Sequence, residues 1–389
     1  MSSRTRLIVM TISAPVIAFA IVGGFLGKVM AGQARAYPHL AIFDDVVGLI
    51  TSAYVEDVNV DRVMSGAMHG LVDSLDPDSA YLTPDQAKLV ESGAALPAGG
   101  VGLEITRQYY LRVIAARDNS PAAKAGLRTG DYIRAINGTP TREMSVWEGS
   151  RALRGAPGTK VSVTIIRGNA ADPHVVEMTR EAEPASMVSG RMAGAGVGYV
   201  RVAVVGPTSA AQVTSQIADL TKGGATKLVV DVRRAVGGSL DDGLALARLF
   251  VGKGTLAMRE TRSGPREIIA AGAGDGSIAL PMVVLIDTGT SGASELFASA
   301  VAGNQRADLV GERTIGRAAL QQLVKLPDGA ALWLSTTRYL TPSGTPLHEK
   351  GLEPTVAVDE PDVEFGQPAP AADPVLDKAL AHLSAKKAA

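Results

Sequence analysis

From Gly196 onward the chain alternates between apolar, strand-like runs and amphipathic, helix-like runs, and that order most constrains its fold. Val197–Val204 has strand character, Ser209–Leu220 helical spacing, Lys227–Val232 an apolar strand, Asp241–Phe250 helix, Met282–Ile286 strand and Ser291–Val301 helix. Strands separated by crossover helices lie parallel, so this half of the chain predicts an α/β core with a largely parallel sheet. Two other textures precede it. Between His39 and Val90 apolar residues recur at helical spacing (Ile42, Val46, Val47, Ile50, then Val63, Met64, Met68, Leu71), which predicts a small helical region. Between Val101 and Arg180 short alternating runs such as Leu103–Ile105, Leu111–Ala116, Tyr132–Ile136 and Val161–Ile166 are separated by turn residues. They are interrupted by one helix-like segment, Val146–Leu153, and predict a small β-rich domain. The Gly-, Ala- and Pro-dense stretch Ser92–Gly102 has linker composition. Three textures in 389 residues fit several domains better than one core. The expected divisions are 37–95 (helical), 96–183 (β-rich), 184–362 (α/β core) and 363–389, a Pro- and Ala-rich tail with a last short helix near Val375–Leu383.

Residues 1–36 predict export. Arg4 and Arg6 precede an apolar run from Leu7 to Leu26, long enough at about twenty residues to span a bilayer. Ala34-Arg35-Ala36 has the small-residue pattern of a cleavage site. Signal peptide and retained membrane anchor are both open readings. In either, the basic flank stays cytoplasmic and the rest of the chain lies in the cell envelope, periplasmic, secreted or anchored to the inner membrane. Cysteine is absent, which excludes disulfides, Cys-ligated metals and a Cys nucleophile. The five histidines are scattered without metal-ligand spacing, so neither a metal site nor a cofactor is expected. A formal net charge of −1 supplies no basic excess for nucleic acid.

Several motifs, in order, resemble one family. SLDPDSAYLTPDQ (Ser74–Gln86) is similar to a signature that precedes the PDZ domain of carboxyl-terminal processing peptidases, the tail-specific proteases, with Asp78 where a histidine is usual. GVGLEI (Gly100–Ile105), NSPAAKAGLRTGDYIRAINGTP (Asn119–Pro140) and LRGAPGTKVSVTIIR (Leu153–Arg167) resemble the PDZ domain itself. VVDVRRAVGGSL (Val229–Leu240), TTRYLTPSG (Thr336–Gly344) and KGLEP (Lys350–Pro354) resemble segments of the peptidase core. The resemblance implies an inserted PDZ-type domain and a ClpP/crotonase-like α/β core. It also implies that the amides of Gly102, Leu103 and Glu104 capture a peptide's terminal carboxylate while the peptide adds a strand to the sheet. Arg154 is a candidate link between PDZ domain and core.

The family's chemistry is a Ser–Lys dyad, in which a desolvated neutral lysine takes the proton of a serine hydroxyl. The serine belongs three residues before the Glu of a GSASASE-like motif. Here the motif reads GTSGASE (Gly289–Glu295), so Gly292 stands in the serine's place. The lysine belongs in a TFGKGxxQ-like stretch, here TIGRAALQ (Thr314–Gln321), so Arg317 stands in the lysine's place. A guanidinium does not deprotonate in proteins and cannot act as a general base. The resemblance leaves the assisting Gln321 and the oxyanion-hole amides of Gly237 or Gly238 and of Ala293.

Three readings follow. In the first, a catalytically silent protein binds extended segments or polypeptide C-termini as an adaptor, or as the partner of an active homologous peptidase. In the second, a serine peptidase works with a displaced nucleophile, Ser291 or Ser294. A neighbour one residue away on a helix is turned by about 100°, which points Ser291 away from the oxyanion amides. In the third, a structural scaffold oligomerises through the helical segment near Ala41–Leu71 and binds no peptide.

Overall fold

A computed structural model of the protein describes residues 37–168, 172–361, 363–367 and 372–385. The expected signal segment, 1–36, lies outside the described residues. The chain divides into two compact units, Met1–Met68 and His69–Ala389.

In the first unit the predicted helical spacing forms the helix Tyr37–Ala53, and a second helix, Val60–Asp73, begins there. Ile42, Val46 and Leu49 are exposed on the first of these. Among the described residues no helix is long and apolar enough to cross a membrane.

The second unit is built on a six-stranded sheet. Its order is Met187–Gly194, Val197–Val204, Lys227–Asp231, Met282–Ile286, Asp308–Gly311 and Val356–Ala357. The first pair is antiparallel and every other pair parallel. Successive side chains of a strand face opposite sides. Val230, Val284 and Ile286 therefore join the core under the helices Ser209–Lys222, Leu240–Arg248 and Gly292–Gly303. Val229, Val283, Leu285 and Val310 pack instead against the last helix, Pro374–Ala385. Cover on both faces is why the central strands are continuously apolar.

The β-rich region is a separate sheet in the order Leu103–Gln108, Tyr110–Ala116, Tyr132–Ile136, Lys160–Ile166, His174–Thr179. Its helix, Val146–Leu153, opens on a capping box in which Ser145 and Glu148 satisfy each other's backbone donors. A third sheet carries the hairpins Thr255–Thr261/Glu267–Ala270 and Ala319–Lys325/Ala331–Leu340, with Ala80–Leu82 on its edge. Several contacts join the β-rich domain to the rest, among them two from its helix and one at Asp118. Trp147 packs beside Leu82, Ala87 and Ala331, Gln86 Nε2 donates to Glu148 Oε1 at 2.8 Å, and Arg201 grips Asp118 with Nε–Oδ2 2.8 Å and Nη2–Oδ1 3.0 Å.

Candidate active site

Strand Met282–Ile286 ends in a tight turn before its helix. Asp287 and Thr290 close that turn: the Asp287 amide donates to Thr290 Oγ1 at 3.0 Å, and Thr290 Oγ1 donates to the carbonyl of Val232 at 3.2 Å. Ser291 is the N-cap and Gly292 the first helical residue, in left-handed backbone at φ +57°. A Cβ on Gly292 would meet only one neighbour within 4 Å, the carbonyl oxygen of Arg317 at 3.8 Å. The place where a nucleophile's side chain would stand is open, and Arg317 lies beside it.

Ala293 follows in the first helical turn, where amides lack intrahelical acceptors. Against it lies the glycine pair of the preceding loop. A Cβ on Gly238 would come within 3.2 Å of Ala293 Cβ, and Gly237 and Gly238 have φ of +75° and +82°, conformations suited to glycine. Gly238, Ala293 and Gly292 are thus brought together, as the sequence predicts. The helix start is fastened from below by Glu295, which is fully buried. Its carboxylate accepts the amides of Gly316 and Arg317, each at 2.8 Å, and the hydroxyl of Thr314. The Gly292 amide donates to it as well. Burial pushes its pKa up to about 7, and those four donors act against the shift.

The loop carrying Arg317 is held from the other side by Lys350–Pro354. Gly316 and Gly351 approach the opposing backbone so closely that neither has room for a Cβ. The Leu352 amide donates to Thr314 Oγ1 at 2.8 Å. This explains why KGLEP accompanies the TIGR stretch in the sequence.

Arg317 does not face Gly292 as a base would. Its Nε donates to Asp78 Oδ1 at 2.8 Å, and its Nη1 to Glu104 and, at 3.4 Å, to the carbonyl of Ile105. Burial disfavours the cation, but the two carboxylates outweigh that and raise its pKa. Asp78 is positioned by an aspartate turn: Asp76 Oδ1 accepts the amides of Asp78 and Ser79, both at 2.8 Å, and Ser335 Oγ at 3.2 Å. The guanidinium therefore reaches carboxylates, and one of them is Asp78, where the resemblance has a histidine.

The remaining candidates sit apart from this cluster. Gln321 Nε2 donates to Ser335 Oγ at 3.1 Å and makes no bond to Arg317. Ser294 Oγ donates to the Ser291 carbonyl at 2.8 Å, within its own helical turn. Neither the Ser291 nor the Ser294 hydroxyl is hydrogen-bonded to a described lysine or histidine; Lys325 instead pairs with Glu91 at 2.9 Å. Arg154 caps the Val146–Leu153 helix and forms no ion pair with a described residue. The link expected of it is carried by Arg201–Asp118 and by Arg317–Glu104. Of the three candidate carboxylate-binding residues, Leu103 and Glu104 belong to the edge strand paired with Tyr110–Ala116, and the Glu104 side chain is taken by Arg317. The Gly102 amide has an internal partner, Glu183 Oε1 at 2.9 Å.

The α/β core and the β-rich domain each match a known family. The model of peptidase family S41 matches residues 196–358, and that of a PDZ domain residues 112–167. A carboxyl-terminal-processing protease of Synechocystis sp. is 32% identical over 322 residues, 81% of this chain and 75% of that one. A carboxy-terminal-processing protease of Bartonella bacilliformis is 30% identical over 335 residues, 85% of this chain and 77% of its own. Among solved structures, a photosystem II D1 C-terminal processing protease superposes with a TM-score of 0.67 at 28% identity, covering 82% of this chain and 92% of that chain. The chain belongs to the carboxyl-terminal processing peptidases of family S41, with a PDZ domain.

Proposed function

We propose that this member of the family is catalytically silent and acts in the cell envelope as a peptide-binding adaptor, or as a partner of an active homologous peptidase. The observation that carries the reading is the pairing of Arg317 with Asp78 and Glu104 beside a glycine at the nucleophile position. A serine peptidase of this type needs a hydroxyl and a neutral amine in contact. Here one is absent, and the other is a guanidinium clamped by two acids. Retained glycines at Gly237 and Gly238 and an intact PDZ-type sheet are consistent with a fold that has kept its binding surfaces while losing its chemistry.

The N-terminal sequence supports periplasmic exposure, anchored or released. The exposed apolar residues of the Tyr37–Ala53 helix support self-association through that helix.

The test is hydrolysis of casein and of an unstructured C-terminal tail between pH 6 and 10. No cleavage is expected at any pH. Turnover that disappears in Ser291→Ala or Ser294→Ala would establish the displaced-nucleophile reading instead.

A further inference from the structure

The glycine turn ahead of strand Leu103–Gln108 is already occupied. Glu183, beyond the last strands of the PDZ-type domain, folds its carboxylate into the turn: Oε1 accepts the Gly102 amide at 2.9 Å, and Oε2 lies 3.5 Å from Arg117 Nε. Two glycines make the space. Gly100 has no room for a Cβ because Glu183 Oε1 fills that position, and Gly102, at φ +74°, turns its amide inward while its carbonyl accepts the Arg117 amide at 2.7 Å. Arg117 is 5% exposed at its side chain, and its Nε makes no hydrogen bond. Glu181 takes the other end of the guanidinium. Glu183 is held in register by its backbone, whose amide donates to Ala98 at 3.1 Å next to the Gly99–Ala182 strand pair.

A loop amide and a buried arginine converging on one carboxylate form a seat for a carboxylate anion. The seat heads a strand, Leu103–Gln108, that is the terminal strand of its sheet; a strand added along its outer edge would displace Arg317 Nη1 from the Ile105 carbonyl, a bond of 3.4 Å. We propose that Glu183 is a built-in occupant of this seat, so that the PDZ domain of this chain takes extended internal segments and excludes free C-termini. The proposal rests on the peptide-binding reading above and narrows its ligand class. A terminal carboxylate entering the seat would face a second carboxylate at contact distance, which raises the cost of keeping both ionised. It would also compete with a tethered ligand present at an effective concentration of roughly millimolar.

The experiment uses the full chain and two fluorescein-labelled decapeptide libraries of randomised sequence, one ending in a free carboxylate and one in a carboxamide. Wild type is expected to bind both alike. Glu183→Ala should bind the acid library about tenfold more tightly than the amide library, the scale of one charge-assisted hydrogen bond. Glu183→Gln fills the seat without charge and should keep the wild-type ratio. A wild type that prefers the acid library, or an unchanged ratio in Glu183→Ala, overturns the proposal. If neither library binds any variant, the peptide-binding reading itself fails, and hydrogen exchange at the Gly102 amide decides about Glu183. Faster exchange in Glu183→Ala supports it as the occupant, and unchanged exchange removes it.

Discussion

Arg233 and Arg317 each gather carboxylates from distant parts of the chain, yet they do so under different conditions. Arg233 follows the central strand Lys227–Asp231 and has 6% of its side chain exposed. It bonds Asp231 Oδ2 at 2.7 Å, Asp373 Oδ2 at 2.7 Å and Glu360 Oε1 at 3.1 Å, and Tyr199 OH completes the shell of Asp231 at 2.7 Å. Burial alone would raise the pKa of Asp231, but Arg233 and Arg201 hold it well below the usual carboxylate range. Arg317 is 26% exposed, and its partners Asp78 and Glu104 come from the turn after the Val60–Asp73 helix and from the PDZ-type sheet. One cluster fastens the C-terminal helix to the sheet. The other joins two modules at the position where the family's chemistry resides. Arg233 ties one fold element to another, whereas Arg317 stands where the resemblance expects a lysine.

The largest effect should come from Arg233→Ala. Removing one partner of a buried, hydrogen-bonded cluster leaves Asp231 only Arg201 and the Tyr199 hydroxyl, and such a loss costs about 3–5 kcal/mol. Urea denaturation should show that loss, with earlier exchange of the amides of Pro374–Ala385. A loss below about 1 kcal/mol, the size of a surface pair, would mean the two clusters do not differ.

Glu295 gives the next effect, and it is pH-dependent. Its carboxyl titrates at about 7 in the folded protein against 4.5 unfolded, so the folded state binds the proton more tightly. That contribution is fully present below pH 4.5 and is lost as pH rises through 7. Relative to Glu295→Gln, wild type should lose about 3 kcal/mol of stability across that window. Parallel stability curves for the two proteins would show that the four donors at Glu295 cancel its burial.

Arg317→Ala should cost less, about 1–2 kcal/mol, because a quarter of the side chain is in water and Glu104 is itself partly solvated. Its diagnostic is local: hydrogen exchange should rise in Leu103–Gln108 while Pro374–Ala385 stays protected. Equal loosening of both segments would make Arg317 a general stabiliser.

How much of this was legible beforehand depended on range. Val197–Val204, Val146–Leu153 and Met282–Ile286 appear with the predicted bounds because periodicity and capping are local properties. The hairpins Thr255–Ala270 and Ala319–Leu340 were not anticipated as a sheet, since residues such as Gln321, Gln322 and Arg338 give no apolar alternation. Gly292 and Arg317 could be placed from motif spacing. That Arg317 would find Asp78, 239 residues earlier, could not, although two substitutions of complementary charge in one motif set were a usable signal. The motif around Arg154 suggests a module link, but the ion pairs that make the link join residues 83 and 213 positions apart. Glu183 escaped for the same reason, being 81 residues from the glycine turn it fills.

The smallest expected effect is no effect. Gly292→Ser with Arg317→Lys supplies the family's two residue types in place; among the described residues the Arg317 carbonyl alone lies within 4 Å of the added Cβ, while the left-handed backbone at φ +57° strains the serine. The double variant should still fail to cleave casein. A lysine at 317 starts from the same backbone as Arg317, with Asp78 and Glu104 in reach of its ammonium, and opposite charges at that range favour the charged form. A general base has to be neutral near the working pH. Adding Asp78→Asn and Glu104→Gln removes both charges, so burial can lower the lysine's pKa, and slow hydrolysis should appear only in this quadruple variant. Cleavage by the double variant would show that the carboxylates do not govern the base. A silent quadruple variant, folded by circular dichroism, would show that the backbone at Gly237, Gly238, Gly292 and Ala293, and not the charges around Arg317, sets the outcome.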